Sequence, residues 1–254
     1  PGFHSPPLPA PRPVWGVGGW ARVARSPWAP GGRGVGVMWA PAFSGFRGER
    51  APERRRVIIR GADPEAAVAT SLVLLRSGIR FLEVSLVTAD ALGVIAEVAR
   101  SAPDGAAIGA GTVLTRDDVT RAAEAGARFM VTPAVTESVA ESVAVGIPVL
   151  AGAFTPTEAL TAMGLGAAAV KLFPSALGGP AYLRALREPL PDVPFVPVGG
   201  VDVTLAAEYL AVGAVAVGVG SPLVGDAARG GDLDALRARA AAFLAVARGS
   251  GGSA

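Results

Sequence analysis

From residue 56 onward, short apolar runs rich in β-branched residues alternate with longer, Ala-rich stretches of helical period. Several of the short runs are apolar at almost every position, which is typical of parallel strands buried on both faces. The pattern predicts eight strands, at residues 57–60, 81–85, 107–111, 129–132, 149–151, 169–173, 195–198 and 215–218. It predicts helices that begin near Pro64, Ala89, Arg116, Glu137, Thr155, Pro180, Val203 and Pro222, and a last helix over Leu233–Ala247.

Glycines mark the ends of the predicted helices. Five helices end in a glycine shortly before the next strand, a common helix-capping position, at Gly78, Gly126, Gly146, Gly166 and Gly213. Eight strand–helix units within roughly 190 residues fit a single (β/α)8 barrel, the TIM-barrel fold of the α/β class. An open, doubly wound sheet is the alternative. The lack of a dinucleotide-binding glycine fingerprint favours the closed barrel.

The composition changes near residue 55. Residues 1–54 contain all four tryptophans, many Pro and Gly residues and no sustained period, so we expect a disordered leader, followed by a barrel at 55–248 and a flexible tail at 249–254. Residues 1–56 hold nine arginines and two acidic residues, whereas the remainder holds 14 basic and 19 acidic residues. An arginine-rich segment can contact nucleic acid, but these arginines are scattered without a period. We therefore expect no nucleic-acid partner.

No stretch has the length and apolar character of a membrane span, and the start lacks a signal-peptide pattern. We expect a soluble, cytoplasmic protein with no membrane partner.

The composition also restricts the chemistry. The chain has no cysteine, and its only histidine is His4, so thiolate chemistry, a His-based triad and a multi-His metal site are excluded. We expect neither a metal nor a cofactor. The only lysine, Lys171, lies in an apolar run. Desolvation disfavours its ammonium form and would make it a nucleophile, although a lysine that reaches water from a strand end is an alternative.

Glu83 is also a charged residue within an apolar strand. The chemistry of a TIM barrel collects at the carboxyl ends of its strands, and both Glu83 and Lys171 lie near such ends. One hypothesis is a structural ion pair between Glu83 and Lys171. The other is a Schiff-base lysine with a neighbouring carboxylate that transfers protons.

Glycine-rich loops follow the last two strands. Gly199-Gly200 ends the seventh strand, and Gly218 to Ser221 ends the eighth. Barrels of this type often hold a phosphate at these two loops, where glycine lets the backbone approach the anion. Glycines that merely permit tight turns are the alternative for either loop alone.

Six segments, in the same order, resemble the 2-keto-3-deoxy-6-phosphogluconate (KDPG) and 4-hydroxy-2-oxoglutarate (KHG) aldolase family, which includes a 6-phosphogalactonate branch. They are Gly78-Ile-Arg-Phe-Leu-Glu83-Val, Gly109-Ala-Gly-Thr112-Val, Val131-Thr-Pro133, Lys171-Leu-Phe-Pro174, Pro197-Val-Gly-Gly200-Val and Gly218-Val-Gly-Ser221.

The resemblance implies a class I aldolase in which Lys171 forms an imine with pyruvate and Glu83 is the general acid/base. It implies that Thr112 hydrogen-bonds the pyruvate portion and that Pro133 and Phe173 shape the pocket. The phosphate would be held by Gly199, Gly200 and Ser221.

One position departs from the family pattern. Some members carry, four residues after the glutamate, an arginine that binds the pyruvate carboxylate, and here that residue is Val87. Arg60, at the end of the first strand, resembles an arginine that other members place in the site. We assign carboxylate binding to Arg60, and a solvent-facing arginine at a strand end is the alternative.

We therefore expect an aldolase that cleaves KDPG to pyruvate and glyceraldehyde 3-phosphate and that also accepts KHG. Three alternatives remain: a 2-keto-3-deoxy-6-phosphogalactonate (KDPGal) aldolase, a phosphosugar isomerase, epimerase or synthase on a similar barrel, and a non-catalytic phosphosugar-binding barrel. The resemblance further implies a homotrimer and a place in the Entner–Doudoroff pathway.

Overall fold

The computed structural model describes residues 55–249. Within this range parallel strands alternate with helices. The strands are β1 (Arg55–Ile59), β2 (Phe81–Ser85), β3 (Ala107–Gly111), β4 (Phe129–Val131), β5 (Val149–Ala153), β6 (Ala169–Leu172), β7 (Phe195–Pro197) and β8 (Val217–Val219). The α-helices are α1 (Pro64–Arg76), α2 (Ala91–Ser101), α3 (Arg116–Glu124), α4 (Glu137–Ala144), α5 (Pro156–Gly164), α6 (Gly179–Arg187), α7 (Val203–Ala211), α8 (Ser221–Val224) and α9 (Leu233–Gly249).

All eight predicted strands and nine predicted helices are present, and most differ from their predicted bounds by one or two residues. The main errors lie at β1, which begins at Arg55 rather than at residue 57, and at β8, which was placed two residues too early. The sequence pattern starts β1 at the first apolar residue, whereas the strand itself includes two arginines. The predicted leader (1–54) and all but the first residue of the predicted tail (249–254) lie outside the described residues.

The strands form one parallel sheet in the order β7-β6-β5-β4-β3-β2-β1-β8. A bridge between Val198 and Gly218 joins the two ends of this sheet. The closed (β/α)8 barrel is therefore confirmed, and the open doubly wound sheet is wrong.

Local capping explains where several helices begin and end. Capping boxes start α3, from Thr115 and Asp118, and α5, from Thr155 and Glu158. Hydrogen bonds from the backbone N–H groups of Thr155 and Phe154 lower the pKa of Glu158. The five glycines predicted to end helices all have positive φ, where glycine avoids the steric penalty of a Cβ.

Two apolar clusters form the core. The larger lies between the sheet and its surrounding helices. The smaller fills the barrel interior with Phe81, Phe129, Val131, Leu150, Ala169, Val196, Val198 and Ala216. The rings of Phe81 and Phe129 meet edge to face, with centroids 6.1 Å apart. Gly109 makes room for them, because a Cβ there would lie 2.3 Å from the Phe129 ring.

We expect Gly109→Ala to destabilise the barrel by about 1–3 kcal/mol, because the buried Phe129 ring has to move to admit the methyl group. Gly164→Ala is the matched control. It lies at the end of α5 with nothing within 4 Å of the added carbon, so we expect no loss of stability or a gain of about 0.4–1 kcal/mol. Urea unfolding compares the two, and equal stability of both variants would contradict the packing account.

Candidate active site

The predicted site residues lie at one end of the barrel, where the parallel strands finish. Arg60 follows β1, Thr112 follows β3, and Phe173 follows β6. Glu83 and Lys171 lie within β2 and β6, each two residues or fewer from the strand's last residue. The other predicted residues follow β4, β7 and β8, and they are Pro133, Gly199, Gly200 and Ser221.

Lys171 points into the barrel, because it lies two residues after the interior residue Ala169. Its side chain is 6% exposed, and its Nζ lies 5.0 Å from the centroid of the Phe173 ring. Burial lowers the pKa of Lys171 from its ordinary value; Glu83 opposes this shift, while Arg56 and Arg60 add to it. The lowered pKa increases the fraction of neutral amine, which is the form that attacks a carbonyl.

Glu83 is paired with Arg56. The Nε atom of Arg56 lies 3.2 Å from Oε2 of Glu83, and both side chains are 1% exposed. Among the described residues Lys171 makes no ion pair. The hypothesis of a structural Glu83–Lys171 ion pair is therefore wrong.

Sequence reasoning missed Arg56, which it grouped with the charged N-terminal segment. A signal was present, because Arg56 precedes the half-buried interior residue Ile58 by two positions. Side chains two apart on a strand share a face, so extending the strand back to Arg56 predicts an arginine inside the barrel.

Gly111 gives Glu83 its space. It is the last residue of β3, and a Cβ on it would lie 2.0 Å from Oε1 of Glu83. The glutamate therefore lies against the backbone of the neighbouring strand, with its other oxygen facing Arg56. These contacts set the carboxylate's position from two sides.

Thr112 has a left-handed backbone, with φ of 61°, which is unusual for a β-branched residue. Its hydroxyl lies 2.7 Å from that of Ser85 in a hydrogen bond that either group can donate. Strained conformations of this kind concentrate at functional sites. Ser85, fully buried at the end of β2, is a second residue that sequence reasoning missed.

The turn at Pro133 is fixed by its neighbours. The Thr132 hydroxyl donates to the carbonyl of Ala134 (2.6 Å) and accepts from the N–H of Gly152 (3.1 Å). Gly152 pairs with Lys171 across β5 and β6, and a Cβ on it would lie 2.2 Å from the Pro133 backbone. The loop after β4 therefore lies against β5, the strand next to the lysine strand.

Ser175 connects the loop after β6 to the loop after β7. Its hydroxyl donates to the carbonyl of Gly199 (2.9 Å), and its own carbonyl accepts from the Tyr209 hydroxyl (2.8 Å). Ser175 is buried. The segment that carries Phe173, which is 37% exposed beside the lysine, is thus tied to the glycine loop.

The glycine loops after β7 and β8 are neighbours, because Val198 and Gly218 form the bridge between those strands. Gly199 and Gly200 have φ of 100° and 76°, which only glycine adopts readily. Ser221 is exposed at the start of α8. Both loops therefore lie together at the mouth of the barrel.

Arg60 is exposed, and its positive charge contributes to lowering the pKa of Lys171. It therefore lies on the side of the site that is open to solvent. Val87, where some relatives carry an arginine, is 61% exposed on the loop after β2.

Within residues 55–249, no three acidic or histidine side chains are grouped closely enough to hold a metal ion. In the same range, none of the helices has the length and apolar character needed to cross a bilayer.

Comparison with known proteins shows the family to which this barrel belongs. Residues 54–238 match the family model described as aldolase, KDPG and KHG aldolase. The chain belongs to this aldolase family. It is therefore a carbon–carbon lyase, and the isomerase, epimerase and synthase alternatives are excluded.

Individual relatives agree with the family match. A probable 2-dehydro-3-deoxy-6-phosphogalactonate aldolase from Rhizobium meliloti (strain 1021) is 40% identical over 191 residues, covering 74% of this chain and 89% of the relative. A solved structure described as native KDPGal has a TM-score of 0.73 at 33% identity, over 77% of this chain and 95% of that one. A Legionella pneumophila KDPG aldolase with pyruvate captured at low pH as a covalent carbinolamine has a TM-score of 0.71 at 29% identity, over 81% and 97% of the two chains.

Gly111→Ala tests whether the aldolase depends on the position of the Glu83 carboxylate. The new methyl group would clash with Oε1, Cδ and Cγ of Glu83, so the whole carboxyl group has to move, and we expect a folded protein whose kcat falls by about 10²-fold. Thermal unfolding and steady-state kinetics check both statements, with Gly164→Ala as the control that leaves kcat unchanged. Full activity in Gly111→Ala would contradict the geometric account.

Proposed function

We propose that this protein is a class I aldolase in which Lys171 forms a Schiff base with the keto group of a phosphorylated 2-keto-3-deoxy sugar acid. The observation that carries the proposal is Lys171 itself, a buried amine without an ion-pair partner among the described residues, in a barrel of an aldolase family. The carbinolamine captured in the Legionella pneumophila relative supports the same chemistry.

In this mechanism the neutral Nζ of Lys171 attacks C2 of the substrate and gives a carbinolamine. The carbinolamine takes up a proton, relayed by Glu83 through a water molecule, and loses water to form a protonated imine. Glu83 accepts the proton of the C4 hydroxyl through a water molecule as the C3–C4 bond breaks. The electron pair of that bond moves into the imine, and glyceraldehyde 3-phosphate leaves. Glu83 then returns this proton, through water, to C3 of the enamine, and hydrolysis of the resulting imine releases pyruvate and free Lys171.

Three groups would position the pyruvate portion. Arg60 at the open side of the site would pair with the substrate carboxylate, as a guanidinium does well. The Thr112 hydroxyl, oriented by Ser85, would hydrogen-bond the same portion. Pro133, which lies against β5, and Phe173, which follows the lysine strand, would form the walls around the imine.

The adjacent glycine loops would hold the phosphate. Backbone N–H groups at Gly199 and Gly200 and the hydroxyl of Ser221 are the donors we assign to it. The hydrogen bond from Ser175 to Gly199 fixes this loop relative to the lysine strand.

KDPG is the substrate expected from the family resemblance, with KHG as a second and smaller substrate. KDPGal is a candidate of equal standing, because the Rhizobium meliloti relative and the solved KDPGal structure carry that name. KDPG and KDPGal are epimers at C4 and give the same two products, so the mechanism above serves either. A homotrimer, a cytoplasmic location and a role in the Entner–Doudoroff pathway remain part of the proposal.

The test is release of pyruvate from KDPG, KDPGal and KHG by the full chain. We expect cleavage of all three, with the preferred C4 epimer favoured in kcat/KM by at least about tenfold. Lys171→Arg should lose at least about 10³-fold in kcat because it cannot form the imine, and Glu83→Gln should lose about 10²–10⁴-fold.

Circular dichroism and binding of glycerol 3-phosphate provide the controls for fold and for the phosphate site. A folded wild-type protein that binds the phosphate but cleaves none of the substrates would instead support the non-catalytic phosphosugar-binding barrel. Retention of activity in Lys171→Arg would exclude the imine mechanism.

A further inference from the structure

Arg56 is a charged group buried in the barrel interior below the site. It enters the barrel from β1 beside Phe81 of β2 and Gly218 of β8, its partners in register. A Cβ at Gly218 would lie 3.5 Å from Nη2, an ordinary packing distance, so the guanidinium lies against the backbone of β8. In the part of the chain that the structure describes, its nitrogens make no hydrogen bond, and its one ion pair is with Glu83.

A buried guanidinium with so few partners is unfavourable, and a buried ion pair is weak evidence of a stabilising role. An apolar residue of similar size would fill the same space without desolvating a charge. The geometry indicates a role other than stability. Glu83 interacts with two cations, Arg56 and Lys171, and forms an ion pair only with Arg56.

We propose that Arg56 is a positioning residue that holds the Glu83 carboxylate away from Lys171 and so keeps the lysine amine free to react. This proposal rests on the aldolase function proposed above, although its effect on the amine is measurable without substrate.

The charged groups that act on Lys171 are Glu83 from β2, Arg56 from β1 and Arg60 from the end of β1. Removal of Arg56 has two effects of the same sign. One positive charge that disfavours the ammonium is lost, and the freed Glu83 carboxylate can approach the ammonium and stabilise it. Both raise the pKa of Lys171, so less neutral amine is present at a given pH.

The experiment measures the pH dependence of Lys171 acetylation by acetic anhydride in the full chain, followed by peptide mass analysis. Because the chain has a single lysine, the labelled side chain is unambiguous, and the N-terminal amine is an internal standard. We expect Arg56→Met to move the midpoint of Lys171 labelling to higher pH by about one unit, a roughly tenfold decrease in free amine below both midpoints. The pH profile of substrate cleavage should move in the same direction.

Two further variants control for a failure to fold and for the loss of an arginine elsewhere on the protein. Arg56→Gln removes the charge but keeps a donor for Glu83, so it is measured alongside Arg56→Met in case the apolar variant does not fold. Arg121→Met is the matched control, because it removes an arginine from an exposed ion pair with Asp117 (3.6 Å) on α3. We expect its midpoint to equal that of the wild type.

An unchanged midpoint in the folded Arg56 variants, or a move to lower pH, would overturn the proposal. Failure of both Arg56 variants to fold would also overturn it, since Arg56 would then be a structural residue. If the midpoint moves as expected but the wild-type protein cleaves none of the substrates, the proposed function fails while the control of the amine by Arg56 stands.

Discussion

Burial of three charges inside one barrel is the constraint on which the site depends. Arg56, Glu83 and Lys171 lie among apolar side chains, where a charge is far less stable than in water unless a partner compensates it. The structure compensates two of them by pairing Arg56 with Glu83. Among the described residues Lys171 has no such partner, and burial lowers its pKa, which favours the neutral amine that the proposed mechanism requires.

The remaining features of the barrel accommodate this arrangement. Gly111 leaves space for Glu83, and Gly152 lets the Pro133 turn lie against β5, the strand next to the lysine strand. Hydrogen bonds from Thr132 and Ser175 then fix the loops after β4 and β6. A rigid site of this kind holds its reacting groups in place before substrate binds, which is how positioning lowers a barrier.

Hydrophobic periodicity predicted the barrel because parallel strands buried on both faces are apolar throughout and the helices between them end in glycine. Lys171 and Glu83 were visible for the same reason, as charged exceptions in apolar strands. The pairing of Glu83 with Arg56 could not be predicted, because it depends on strand register and on which cation lies within ion-pair distance of the carboxylate. Ser85 was missed because a small hydroxyl in a buried strand gives no signal until its hydrogen-bond partner is known.

The central claim is that Lys171 is a buried amine that reacts with a keto acid, and borohydride reduction of the protein with pyruvate tests it most directly. Intact mass and peptide mapping of the full chain should show one reduced pyruvyl adduct, on Lys171. The single lysine leaves the N-terminal amine as the main competing amine. A folded protein with no adduct on Lys171 would contradict the account.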